Sequence, residues 1–313
     1  CDANEASAPA EYAVTISGAE AENYDISYKQ GMLTVTGMPK PIISTDEATL
    51  RITTETDNAV IYYTLDGTEP NENARKYTEP INLYASCEIK AIAVKGDAKS
   101  EVSSAEYHDA EYPNIVKVGD IITANIINSS EENLPMIFKV TSVYPFNVEM
   151  ENKEDYVEGW SNKDKLSGDI EIPSVVKNEG ISYNVIGLGG GALVRAENVT
   201  SLKLNEGLEY TSSHSMRWCY GLHEIVIPNT VKVLGEAAMT DCHNVKTVVL
   251  GSGLERLKSL AFWAVSYRLE TIVSLNPIPA ICDSPNSTFE SLPEDVTLYV
   301  PLGSKSAYET APG

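Results

Sequence analysis

The chain has 313 residues and carries 45 acidic against 23 basic side chains, a formal net charge of −22. The acidic excess is spread evenly with no basic patch, which argues against a nucleic-acid partner and reads as a solubilising surface. No apolar run approaches the roughly 18 residues of a membrane-spanning helix, and abundant Tyr, Thr and turn residues suit a mainly β protein.

The first segment, residues 12–36, alternates at period two: Tyr12, Val14 and Ile16, then Ile26 and Tyr28, then Leu33 and Val35. Gly31 after Lys29-Gln30 marks a hairpin. Asn23-Tyr24-Asp25-Ile26-Ser27-Tyr28 and the run from Gly31 to Thr36 resemble the closing half of an MBG domain, a small β module of bacterial surface proteins. The resemblance implies that residues 1–37 are part of a module that begins upstream. Five cysteines, Cys1, Cys87, Cys219, Cys242 and Cys282, are too few and too scattered for a disulfide framework. Cys1 has two readings: the acylated N-terminal residue of a lipoprotein, or an interior residue of the truncated module.

Met38-Pro39-Lys40-Pro41 is a linker, since proline resists both helix and central strand. Strands are expected at 50–52, 59–64, 81–83, 88–94 and 102–107. Between them Asp66-Gly67 turns a hairpin: the Asp side chain caps backbone amides and Gly accepts positive φ. Tyr63-Thr64-x-Asp66-Gly67-Thr68-x-Pro70 resembles the C-terminal domain of chitobiase and β-hexosaminidase. That implies an immunoglobulin-like sandwich over 38–110, an appendage without catalytic residues. Asp66 and Glu69 sit on a turn tip, and nothing there would raise a carboxyl pKa for acid–base work. Residues 111–184 read as a β-rich lead-in, with a hairpin into Ser182–Gly189. It is expected to cap the open end of the repeats in 185–313.

Residues 185–313 repeat. Val199, Leu222, Val245 and Leu269 stand 23, 23 and 24 positions apart. Each opens the same apolar-x-x-apolar-x-apolar signature: Val199/Leu202/Leu204, Leu222/Ile225/Ile227, Val245/Val248/Leu250, and a decayed Leu269/Ile272/Ser274. A period in the low twenties with one strand per turn is a solenoid signal. Leu222–Cys242, with Pro228, Gly235 and Cys242 in place, resembles the BspA-like family of leucine-rich repeats. The fold class expected is therefore mainly β: a partial module, a sandwich, then a solenoid of short strands joined by short helical or 3-10 turns.

No chemistry stands out. The glycine run Gly189–Gly191 lacks the Lys-Ser/Thr of a phosphate loop. Ser174-Val175-Val176-Lys177 matches Ser-x-x-Lys without its partner motifs. Cys219, His223, Cys242 and His243 invite a zinc reading, but Cys219 and Cys242 share a repeat register with Ala196 and Val265, so they are small core residues. They are expected as free thiols on adjacent turns, about 5 Å apart by strand spacing. His108 and His214 lack a nearby nucleophile. No metal, cofactor or catalytic residue is expected.

The outward face of the repeat strands is more informative. Period two sends Lys203, Val226, Val249 and Val273 outward in one column, beside Ser201, Glu224, Thr247 and Thr271. The bland account is β propensity; the functional one is a protein-docking strip with Val226, Val249 and Val273 at its centre and Lys203, Glu224 and Lys246 at its rim. The family resemblance implies a non-enzymatic, secreted or cell-surface bacterial adhesion protein that binds a protein partner. The alternatives are a glycan-binding accessory module, with Trp160, Trp218 and Trp263 as scattered aromatic candidates, and a structural spacer.

Overall fold

Strand follows strand along the chain, as the period-two runs require. The computed structural model describes residues 10–14, 17, 27, 29–128, 132–151 and 166–312. Cys1, Trp160 and most of the Asn23–Tyr28 motif lie outside the described residues. The chain falls into two units, Cys1–Ile115 and Val116–Gly313. No helix among the described residues is long and apolar enough to cross a membrane.

In the first unit, β1 (Ala10–Val14) and β2 (Gly31–Val35) form an antiparallel pair with Tyr12 opposite Leu33. Then come β3 (Ile42–Asp46), β4 (Thr49–Thr53), β5 (Val60–Thr64), β6 (Arg75–Lys76), β7 (Ile81–Asn82), β8 (Cys87–Lys95), β9 (Ala98–Lys99) and β10 (Ser103–Tyr107). They make two antiparallel sheets, one of β3, β4 and β7 and one of β5, β6, β8, β9 and β10. Leu50 and Ile52 of β4 are buried, as are Ile61 and Tyr63 of β5 and Ile89, Ala91 and Ala93 of β8. On the opposite face of β5 and β8, Tyr62, Ile92 and Val94 pack with Ala74 and Val102. The turn forms as its residues dictate: Asp66 Oδ1 accepts from the Thr68 amide at 3.0 Å, and Gly67 has φ 75°.

The second unit begins with β11 (Ile121–Ile127), β12 (Asn133–Val143), β13 (Phe146–Glu151), β14 (Ser167–Ile172), β15 (Val175–Asn178), β16 (Ile181–Leu188) and β17 (Asn198–Leu204). After these each turn supplies two short strands: β18 (Tyr210–Thr211) and β19 (Glu224–Val226), β20 (Val233–Leu234) and β21 (Thr247–Leu250), β22 (Arg256–Leu257) and β23 (Thr271–Ser274), β24 (Ile281–Cys282) and β25 (Thr297–Tyr299). Helix is confined, among the described residues, to α1 (Pro285–Thr288) and α2 (Lys305–Glu309). Strands β19, β21, β23 and β25 stack in parallel as one sheet. Strands β16, β18, β20, β22 and β24 stack in parallel as a second. The lead-in joins this second ladder, because antiparallel β11, β12 and β13 continue it through the parallel pair β13–β16. The first repeat strand edge is thereby covered.

The solenoid's third side carries the short helix α1 in its last turn and closes the earlier turns with i→i+3 hydrogen bonds, such as Val194 N to Gly191 O at 2.9 Å. Two residues per turn take left-handed backbone angles, in columns spaced by one 23-residue period: Gly191, His214, Ala237 and Leu260, then Arg195, Trp218, Asp241 and Ala264. Between and beside them amides reach the next turn, as in Leu193 N to Ser215 O at 2.7 Å, Met216 N to Ala238 O at 2.8 Å and Trp218 N to Thr240 O at 3.1 Å. These hydrogen bonds form a third ladder and hold seven non-glycine residues at positive φ. Such a residue costs roughly 1–2 kcal/mol relative to its preferred angles, while glycine's extra unfolded-state freedom costs about 0.5–1 kcal/mol. Ala264→Gly, at φ 43°, is therefore expected to leave stability unchanged or raise it by up to about 1 kcal/mol, read as an upward shift of the denaturant midpoint.

The inward positions form the core. Val199, Leu202, Leu204, Leu222, Ile225, Ile227, Val245, Val248 and Leu250 are all buried. Cys219 and Cys242 are buried and free, in the column of Ala196 and Val265. Their thiols donate to the Leu193 and Met216 carbonyls at 3.2 and 3.1 Å, and the contact between the two thiols, with burial, pushes the Cys219 pKa well up.

Candidate interaction surface

Parallel pairing in register places each outward side chain above its counterpart. Val226 stands beside Val249, Val249 beside Val273, and Val273 beside Tyr299. The neighbouring column runs Glu224, Thr247, Thr271, Thr297. Val226 is 43% exposed and Tyr299 57%; Val249 and Val273, flanked on both sides, are half-buried. Beyond Glu224 the two columns hold only Thr, Val and Tyr, an uncharged field on a chain of net charge −22. The column expected from spacing alone ended at Val273 and missed Tyr299. Thr297-Leu298-Tyr299 repeats the order of Thr271-Ile272-Val273, and that is the signal that could have found it.

Lys203 holds the equivalent outward position on β17, which packs beside β19 without pairing with it. Its strand, β17, pairs with β14 in a separate sheet, with Lys203 beside Glu171. Lys203 Nζ lies 2.9 Å from Glu171 Oε1, and Asn205 followed by Lys203 pulls the Glu171 pKa down. Lys246 is exposed just before β21 and pairs with Glu270 at 2.9 Å. Glu224 is exposed at the head of the threonine column.

The cysteines and histidines do not converge. His223 is exposed, with Nδ1 3.0 Å from the Gly221 carbonyl oxygen. His243 lies between Tyr220 and Tyr267, ring centroids 5.2 and 5.3 Å away. Among the described residues no group of three or more His, Cys, Asp or Glu side chains is placed to hold a metal ion. Tyr220, His243 and Tyr267 form an aromatic column that sequence reasoning missed, although their spacing is that of the repeat. Trp218 is covered by the guanidinium groups of Arg217 at 4.1 Å and Arg195 at 5.0 Å, and its indole N–H donates to Asp241 at 3.0 Å. Trp218 spends its ring on arginine and Tyr220 and His243 stack on each other, while Tyr267 at the end of the column is exposed.

The glycine run has a structural task. A Cβ on Gly189 would meet the Met150 carbonyl and the Glu151 carboxyl at 2.8 Å, and one on Gly187 would meet the Tyr210 ring at 2.5 Å. The glycines seat a cluster where lead-in and repeats join. Tyr210 donates to Glu149 at 3.0 Å, and Lys139 reaches Glu149 at 3.0 Å and Glu151 at 3.6 Å. Burial, then the Glu149 charge, raise the Glu151 pKa above its ordinary value; burial and Glu149 also push up Tyr210.

Comparison with known proteins fits this architecture. Residues 174–291 match, in six copies, the family described as BspA type Leucine rich repeat region, and residues 50–107 match the family described as Fn3 associated. No curated protein matches the chain. Among solved structures it is similar to a leucine-rich repeat protein from Bacteroides ovatus (20% identity over 53% of this chain and 36% of that one, TM-score 0.37). It is also similar to the pneumococcal vaccine antigen PcpA (16% identity, 60% and 52%, TM-score 0.40) and to the T. pallidum leucine-rich repeat protein (16% identity, 56% and 92%, TM-score 0.37). The chain thus spans about a third of the first of these and about half of the second. It is a mainly β protein that carries a BspA type leucine-rich repeat region behind an Fn3-associated segment.

Proposed function

We propose that this is a non-enzymatic adhesion protein, secreted or on the bacterial cell surface, and that its repeats bind a protein partner through the strand face from β19 to β25. The observation that supports this reading is the uncharged Val–Tyr and Thr field: two adjacent columns of small rigid side chains on an otherwise acidic chain. β-Branched residues lose little rotamer freedom when covered, and a stacked backbone has little left to order, so association there is cheap in entropy. Glu224, Lys246 and Lys203 form the polar rim. Residues 38–110 in this reading are an immunoglobulin-like sandwich of the chitobiase type, and 1–37 belong to an MBG-type module. The glycan alternative draws no support from Trp218, whose ring is covered by two arginines, or from Tyr220, which stacks on His243.

A screen against host-matrix and bacterial-surface proteins, with a glycan array beside it, identifies the partner. Val226→Asp and Val249→Asp are then expected to weaken binding by at least about 1 kcal/mol per site. Val226→Asp should leave the thermal melt almost unmoved, and half-buried Val249→Asp should cost no more than about 1 kcal/mol. A folded double variant that binds at full strength removes the strand face as the site.

A further inference from the structure

The last turn of the repeat region has a core that does not close. The third inward position of the strand is Leu204, Ile227 and Leu250 in successive turns, and then Ser274. In the second ladder Leu234 and Leu257 give way to Cys282. Two shortened side chains leave a cavity of about 390 Å³ between the final turns and the closing segment. Leu250, Leu254 and Leu257 line it from the repeat side, and Phe289, Leu298 and Tyr308 from the closing side.

Its walls carry no charged side chain among the described residues, and their polar groups are already used. Tyr308 Oη lies 2.7 Å from Ser274 Oγ and donates to the Asn276 carbonyl at 2.7 Å; Asn276 Nδ2 donates to the Leu254 carbonyl at 2.8 Å. Water needs two to four polar partners to occupy such a space, whereas dry apolar cavities take up apolar molecules. The volume lies within the range of small-ligand sites. Leu298, the central residue of edge strand β25, is 48% exposed, so the space reaches the surface. The lining stretch from Glu290 to Asp295 carries Glu290, Glu294 and Asp295, while Arg256 and Lys258, which flank the lining Leu257, are both paired with Asp283.

We propose that this cavity is a binding site for a small apolar molecule whose body is aromatic or alkyl and which carries no negative charge. Dispersion and release of water supply the affinity. The acidic stretch beside the walls repels an anionic head group, which distinguishes the site from a fatty-acid pocket.

The test uses the full chain and two dyes with the same aromatic body, neutral N-phenyl-1-naphthylamine and anionic 1-anilinonaphthalene-8-sulfonate. The neutral dye is expected to bind saturably at one site, and the anionic one at least about tenfold more weakly, as the field of the acidic stretch requires. Ala280→Phe and Ala311→Phe fill the cavity from two different segments, so one remains informative if the other fails to fold. Each is expected to abolish saturable binding while the thermal melt stays that of the parent. Cys282 lines the same cavity, so its alkylation by N-ethylmaleimide should slow several-fold under saturating neutral dye. The proposal is overturned if the wild type shows no saturable binding, if both filled variants bind as the wild type does, or if Cys282 reacts at an unchanged rate. Equal affinity for the two dyes overturns the charge assignment. A concentration-dependent dimer that excludes the dye overturns the small-molecule reading in favour of a second copy.

Discussion

Gly235→Ala is expected to lower the stability of the repeat unit by about 3 kcal/mol, at the severe end of single substitutions. Gly235 is not at a left-handed position; it is required by proximity. An added Cβ would stand 2.3 Å from the carbonyl carbon and oxygen of Ser212 and 2.6 Å from the carbonyl oxygen of Thr211, all backbone of the preceding turn. Backbone cannot rotate away as a side chain can. Relief means spreading two turns at the point where the Gly235 amide donates to Thr211 Oγ1 at 3.1 Å, which strains β18–β20 and its neighbours in the same ladder. For a unit of about 200 residues such a loss corresponds to a fall in Tm of roughly 6–12 °C. Gly190→Ala is the internal control. Its nearest non-local neighbour, the Ser213 carbonyl oxygen, is 3.9 Å from the ideal Cβ, an ordinary contact. That variant should melt within about 0.5 kcal/mol of the parent. Equal melts for the two variants would show that turn spacing yields more readily than packed backbone should.

The repeat was legible because stacking writes itself into spacing: the anchors Val199, Leu222, Val245 and Leu269 are one turn apart, and their inward partners are buried as the signature requires. The Asp66-Gly67 turn was legible because its chemistry is local. What stayed hidden depends on neighbours distant in sequence. Gly191 takes positive φ freely and His214 and Asp241 tolerate it, but nothing about Ala237, Leu260 or Trp218 announces it; the inter-turn hydrogen bonds impose it. Period two gives Lys203 its outward face but does not show which strand its own strand pairs with, and β17 pairs with β14. The partner of Lys203, Glu171, is 32 residues away. The outward column was thus legible in its direction and hidden in its extent, since pairing carries it on from Val273 to Tyr299. The join between lead-in and repeats was invisible for the same reason, since Glu149 meets Tyr210 only through the parallel pairings β13–β16 and β16–β18.

That join supports the second large expected effect. Lys139→Met should destabilise the unit by about 2 kcal/mol at pH 7.5 and by clearly less near pH 5. Among the described residues the lysine is the cation that reaches both carboxylates, at 3.0 Å for Glu149 and 3.6 Å for Glu151, whose side chains are only 11% and 20% exposed. Removing one partner of a buried pair costs about 3–5 kcal/mol; the figure is set lower because the Lys139 side chain is 43% exposed and solvent screens it. The sign of the pH dependence comes from Glu151. Burial and Glu149 raise its folded pKa above the ordinary 4.5, so its protonated form is favoured in the folded state. Its contribution is full below the unfolded value and is lost as pH rises through the folded one. Without Lys139 the folded value rises further, because a cation that lowers it is gone, and the gap between variant and parent should widen with pH. Glu151→Gln keeps the shape and removes the charge, so adding it to Lys139→Met should recover most of the loss at pH 7.5 and flatten the profile. Denaturant melts of the three proteins at the two pH values decide it. A loss of equal size at both pH values, or one that Glu151→Gln leaves uncorrected, would assign the Lys139 effect to packing of its aliphatic stem across the sheet and not to charge.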